Sequence, residues 1–183
     1  MPPQGAPSWD VEVERSKAQL KARGRDLADL FRTLAPTIAA VPGSALADSP
    51  AFSQALAEAE QLMTAYLHSS QVGLGILDAE FRYLAVNPVL AEMNGIPARD
   101  HLSKSIREVL GDFAELVEAP IKRVFASGQP YLNLEVSHKL PGRPEGGHWV
   151  VHYVPIPDAM GKVTRVGGIV VEITGQKRLE EIY

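Results

Sequence analysis

The chain has 183 residues, 45% hydrophobic and 22% charged, with 18 Lys+Arg against 22 Asp+Glu for a net charge of −4. That length allows one domain plus an extension, the mild acidity disfavours a dedicated nucleic-acid binder, and no run of about 18 apolar residues is present to span a bilayer. The absence of cysteine excludes disulfides, thiolate metal sites, cysteine nucleophiles and thiol-attached cofactors.

Residues 1–7 hold three prolines and a glycine and predict a disordered tail. They lack the basic and apolar segments of a secretory leader, so a cytoplasmic protein is expected. Residues 8–69 predict a helical extension. Val13, Leu20, Leu27 and Leu34 recur every seven positions, and Phe31 falls four after Leu27, a partial coiled-coil rhythm. Pro36 is expected to end or kink this first helix. A loop over 41–48 precedes a second helix, capped by Ser49 with Pro50 in its first turn and running to about Leu67. Its stripe is Phe52, Leu56, Ala59, Met63 and Tyr66. Both stripes suit either packing on the neighbouring domain or an intermolecular bundle. On the second reading Val13, Leu20, Leu27, Phe31 and Leu34 are dimer contacts.

Near residue 70 the composition shifts to β-branched runs separated by Gly and Pro. Strands are predicted over 71–78 and 81–86, joined by an Asp78-Ala-Glu80 turn. Asn87-Pro88 starts a short helix that ends at Asn94-Gly95. Short helical turns fill 98–110. A longer helix spans 112–126 with Phe113, Leu116, Val117, Ile121, Val124 and Phe125 inward, and Gly128 closes it. Strands over 131–139, 148–156 and 163–173 complete a β-β-α-α-α-α-β-β-β order. The expected fold class is α+β: a five-stranded antiparallel sheet with short helices on one face, preceded by two α-helices.

Three segments carry a resemblance: VGLGILDAEFRYLAVNPVLAEMNGIPARDHLSKSIREVL, VFASGQPYLNLEV and HWVVHYVPIPDAMGKVTRVGGIVVEITGQKRLEE. Their order and spacing are similar to a bacterial sensory PAS domain over about residues 70–178, giving a sensor domain at 70–174 and the start of an exit helix at 175–183. The closing motif reads Glu172-Ile173-Thr174 where the family usually begins with Asp, and the resemblance makes these three the signal junction. It implies a sensor or dimerising relay, not an enzyme, working as a homodimer with a C-terminal output domain or a separate signalling partner. No nucleic acid or membrane is expected for this segment. A ligand-free dimerisation scaffold is the alternative.

Alternation and helix stripes nominate Ile76, Val86, Met93, Ile106, Leu116, Phe125, Leu134, Val151, Tyr153 and Ile169 as pocket residues. Among the family's cofactors, flavin–thiol and thioester-linked chromophores fail for want of cysteine. Haem is disfavoured because 112–126 contains no histidine. Non-covalent flavin, a small organic ligand or an empty core stay open. No metal site is expected: His148 and His152 share a strand face about 13 Å apart, and His101 is read as part of a polar turn. No catalytic elbow, Walker loop or zinc-protease motif occurs. In the family's strand order Gly73 and Gly75 come near Gly167 and Gly168, and the second helix is expected to fill the outer-face groove they leave.

Overall fold

The computed structural model describes residues 9–67 and 72–173, with side chains of the first two helices described at Ala18 and over 24–62. In chain order come α1 (Trp9–Ala40), α2 (Pro50–Leu67), β1 (Val72–Asp78), β2 (Tyr83–Val86), α3 (Pro88–Asn94), α4 (Ile106–Leu110), α5 (Ala114–Ser127), β3 (Tyr131–Leu140), β4 (Arg143–Pro157) and β5 (Val163–Glu172). The strands make one antiparallel sheet in the order β2-β1-β5-β4-β3. The expected α+β architecture is observed. The tail, His68, Thr174 and residues 175–183 lie outside the described residues.

Hydrophobic burial splits into two clusters, one on each face of the sheet. On the outer face α1 and α2 pack on β1, β4 and β5. Phe31, Ile38, Leu74, Ile76, Val154 and Ile169 are buried there. Leu27 and Phe31 are 1% and 0% exposed and Leu34 packs against the same cluster. These three, expected as dimer contacts, are therefore engaged within the chain, because the central strands present an apolar back that needs covering. The side chains of Val13 and Leu20, like those of Met63 and Tyr66, lie outside the described residues. No described helix is long and apolar enough to cross a membrane.

Of the two outcomes expected at Pro36, an end or a kink, the end is excluded: α1 runs through Pro36 to Ala40. Proline removes one N–H and crowds the carbonyl four residues back. Yet Ala35 and Ile38 are 2% and 0% exposed, and their burial holds the last turn. Arg165 of β5 donates from Nη1 to the Ile38 carbonyl at 2.8 Å. That bond satisfies one of the carbonyls a helix end leaves open.

α1, not α2, exploits missing side chains on the outer face. A Cβ at Gly24 would fall 2.4 Å from His152 Cε1, and one at Gly167 would fall 3.0 Å from Phe31 Cε1. His152 is thus pressed between β4 and α1, 1% exposed, its Nδ1 accepting the Asn133 N–H at 3.0 Å. Burial lowers its pKa to about 4. His101, read from sequence as part of a polar turn, is also fully buried, and burial lowers its pKa too.

On the concave face α3, α4 and α5 cover the sheet, and one residue sets where α3 begins. Asn87, 1% exposed, accepts at Oδ1 from the N–H groups of Leu74 and Leu90, each at 2.9 Å, and donates from Nδ2 to the Val72 carbonyl at 2.7 Å. It caps α3 and ties it to β1 with one side chain. Pro88 fits the first turn, and Gly95 ends the helix at φ 71°.

Two outcomes are expected. Asn87→Ala strands two buried donors and an acceptor, so it should cost about 3 kcal/mol or more in urea denaturation. His152 is charged more readily in the unfolded chain, whose pKa is near the ordinary 6.5. Stability should therefore fall as pH drops from about 6.5 towards 4, by up to about 3 kcal/mol. Denaturation at pH 7 and pH 4.5 measures this. His152→Asn, which keeps an acceptor, should flatten the slope to the share contributed by His101.

Candidate functional site

The floor of the concave face is bare backbone. Gly75 and Gly168 are direct partners across β1 and β5, and both lack the side chain that would fill the space above them. α3 descends onto this floor. A Cβ at Gly73 would lie 3.1 Å from Met93 Sδ and 3.3 Å from Leu90 Cα, and one at Gly75 would lie 2.9 Å from Leu90 Cδ2. A side chain introduced at 75 would therefore press on α3, not on the second helix.

Above the glycine pair is a cavity of about 50 Å³. Its roof is Leu90 and Asn94 of α3, Ile106 and Leu110 of α4, and Phe113. Its walls are Leu77, Tyr83, Leu140, Trp149, Val151, Tyr153 and Val170. Polar side-chain atoms come only from Asn94, Tyr83, Tyr153 and Trp149. The Asn94 amide nitrogen is engaged by His101 Nε2 at 3.1 Å, and His101 Nδ1 donates to the Pro97 carbonyl at 3.1 Å. Tyr83 meets the His101 ring edge-on at 5.2 Å. Burial raises the phenol pKa values of Tyr83 and Tyr153, and Tyr83 adds to the rise at Tyr153. Both phenols stay protonated at neutral pH, so the site is apolar and uncharged, with no acid–base pair in its lining.

Of the ten nominated pocket residues, Ile106, Val151 and Tyr153 stand on the cavity wall. Val86 and Met93 are buried in the same concave core behind it, and Phe125 and Leu134 are half-buried against that core. Ile76 and Ile169 belong on the other side, buried at 0% exposure under the N-terminal helices. Leu116 is 44% exposed; the inward stripe of α5 runs through Val117, Ile121 and Val124, and Leu116 lies outside it. The nominated set lacks Leu77, Tyr83, Leu90, Asn94, Leu110, Phe113, Leu140, Trp149 and Val170, and Gly75 and Gly168, expected at an outer-face groove, form the cavity floor instead. The cross-strand glycines and the lone Trp in a predicted strand were the available signals.

Trp149 connects the cavity to the end of the sheet. Its ring meets Phe113 edge-on at 5.7 Å, and Arg143 Cζ lies over it at 5.6 Å. Arg143 also pairs with Glu145 at 3.3 Å and with Glu172, the last residue of β5 and cross-strand partner of Trp149. The next residue, Ile173, is buried and donates its N–H to the His148 carbonyl at 2.8 Å. Glu172 and Ile173 are thus fixed to β4 at the point where the chain leaves the sheet. Among the described residues no cluster of His, Asp or Glu has the geometry to hold a metal ion.

Comparison with known proteins agrees with this architecture. A family model described as "PAS fold" matches residues 67–178. No curated protein matches the chain. The PAS domain of a protein from Colwellia psychrerythraea aligns with 63% of this chain and 96% of its own, at 14% identity and a TM-score of 0.50. The VqmA dimer of Vibrio cholerae aligns over 64% of this chain and 52% of its own, at 17% identity and a TM-score of 0.51. VqmA bound to DPO aligns over 59% and 54%, at 18% identity and a TM-score of 0.50. The chain therefore spans about half the length of VqmA. The family match runs from the end of α2 through every strand of the sheet, and the chain accordingly belongs to the PAS-fold family, with α1 and nearly all of α2 lying ahead of the matched region.

Proposed function

We propose that this protein is a non-enzymatic sensory module, which binds a small molecule above the Gly75–Gly168 floor and transmits its occupancy to the end of β5. The observation that carries the reading is continuity: the cavity wall, Trp149, Arg143 and Glu172 form an unbroken series of contacts. A ligand that fits one arrangement of these groups better than another shifts their populations by that difference in affinity. VqmA, similar in fold, is found bound to DPO, which supports the reading only as analogy of fold.

Output passes to a partner or to a domain beyond the sheet. A homodimer is part of the proposal, but the sheet's outer face cannot serve it while α1 and α2 remain docked. The small volume of the cavity, about 50 Å³, favours the second reading, a ligand-free scaffold that only spaces and pairs other domains.

Two measurements separate them. Native mass spectrometry of protein purified without denaturation should show a retained small molecule that is lost on unfolding; a bare polypeptide mass supports the scaffold. Arg143→Gln should speed hydrogen exchange at the Ile173 amide by about tenfold, because the strand end loses its ion pair and ring contact. An unchanged rate would remove Arg143 from the relay.

A further inference from the structure

Two buried side-chain atoms among the described residues have no hydrogen-bond partner, Asn133 Oδ1 and Trp149 Nε1. Asn133 is only half-buried, on an open groove beside α5. Trp149 is different: it is 2% exposed and forms part of the cavity wall. An indole N–H can only donate, and buried without an acceptor it bears its desolvation cost uncompensated. The ring has little freedom to seek a partner elsewhere, since Arg143 covers one face and Phe113 abuts it edge-on.

The rest of the lining limits what the acceptor can belong to. None of the cavity residues is an Asp, Glu, Lys, Arg or His, and both tyrosines are held neutral. An ion entering would shed its hydration and meet no counter-charge. The volume of about 50 Å³ is several times the roughly 10–15 Å³ of such space that one water needs, so the occupant is larger than a water but still a molecule of few non-hydrogen atoms. Beside Trp149, the Tyr83 and Tyr153 hydroxyls and the Asn94 amide are the polar side-chain groups of the lining, and the remaining surface is apolar.

We propose, building on the sensing reading above, that the cavity selects small uncharged molecules with an apolar body and one hydrogen-bond acceptor of the carbonyl type. The Trp149 Nε1–H is the group that recognises the acceptor. Trp149 is thereby the specificity-determining residue of the site, and the same side chain that reads the ligand carries Arg143.

Two isosteric probes test this, 2-butanone and 2-methyl-1-butene, which differ by an oxygen in place of a methylene. The chain has two tryptophans, so indole N–H resonances in ¹H–¹⁵N spectra are readily assigned, with Trp149→Phe identifying the one that disappears. Butanone should move the Trp149 indole proton downfield saturably and bind at least about tenfold more tightly than the alkene. In Trp149→Phe butanone should lose its advantage and bind no better than the alkene, because its carbonyl is then buried without that donor. If both enter the native protein with equal affinity, the sensing reading stands and the role of Trp149 falls. If neither perturbs the methyl resonances of Leu90, Ile106 and Val151 at saturating concentration, the cavity is not a ligand site and both fall. The comparison of probes in the native protein decides the matter even if the variant folds poorly.

Discussion

Apolar packing against both faces of β1, β4 and β5 is the constraint from which the rest of this structure follows. An antiparallel sheet ordinarily leaves one side to solvent; here α1 and α2 bury one side and α3, α4 and α5 the other. Each large side chain removed from water contributes about 1.5–3 kcal/mol, and the outer cluster includes Leu27, Phe31, Ile38, Leu74, Ile76 and Ile169. The two sides are not equivalent. Val72, Leu74 and Ile76 of β1 and Ile169 of β5 face outward, whereas the concave side carries Gly73, Gly75 and Gly168. The sheet is thus filled at its back and left bare at its front. The front is where α3 comes closest and where the cavity forms.

Polar groups then fix what apolar packing leaves loose. Asn87 binds the start of α3 to β1 through both ends of its amide. The Asn94–His101–Pro97 series holds the far end of the same helix. Arg165 closes α1 from the strand that also supplies Gly168 to the cavity floor. Between these anchors the cavity keeps a constant frame of α3 against glycine backbone. Among the described residues the unpartnered indole of Trp149, with Asn133 Oδ1, departs from this satisfaction of buried polar groups, and the indole lies in a side chain that lines the cavity.

The sequence is informative about elements and less so about faces. Asn87-Pro88, Asn94-Gly95 and Gly128 mark helix ends by local chemistry, and the structure places helix ends at each. The β-branched runs locate all five strands, four of them within two residues at each end, while β4 begins five residues before the expected start, at Arg143. Facing is another matter, because alternation works only when one side of a strand is wet. With both sides of β1 buried, the rule that apolar means inward selects Ile76 and Ile169, which face the N-terminal helices, and the glycines that make the cavity floor are expected on the outer face instead. Val151 and Tyr153 were placed on the cavity wall because their strand keeps large side chains on its concave face as well. Leu116 shows the same limit on a helix: an apolar residue at the margin of a stripe is as compatible with solvent as with the core. Pro36 does not terminate α1, whose last turns bury Ala35 and Ile38, tertiary contacts that no local motif reports.

The docking of α1 and α2 has a consequence for recruitment. Any protein that would pair with the back of this sheet, including another copy of the same chain, competes with a segment covalently joined to it. Such tethered segments act at effective concentrations on the order of millimolar, so a free competitor of modest affinity is excluded by mass action alone. The back of the sheet becomes available only when something first lifts the helices, which makes accessibility of that surface a variable the protein can regulate without altering the surface itself.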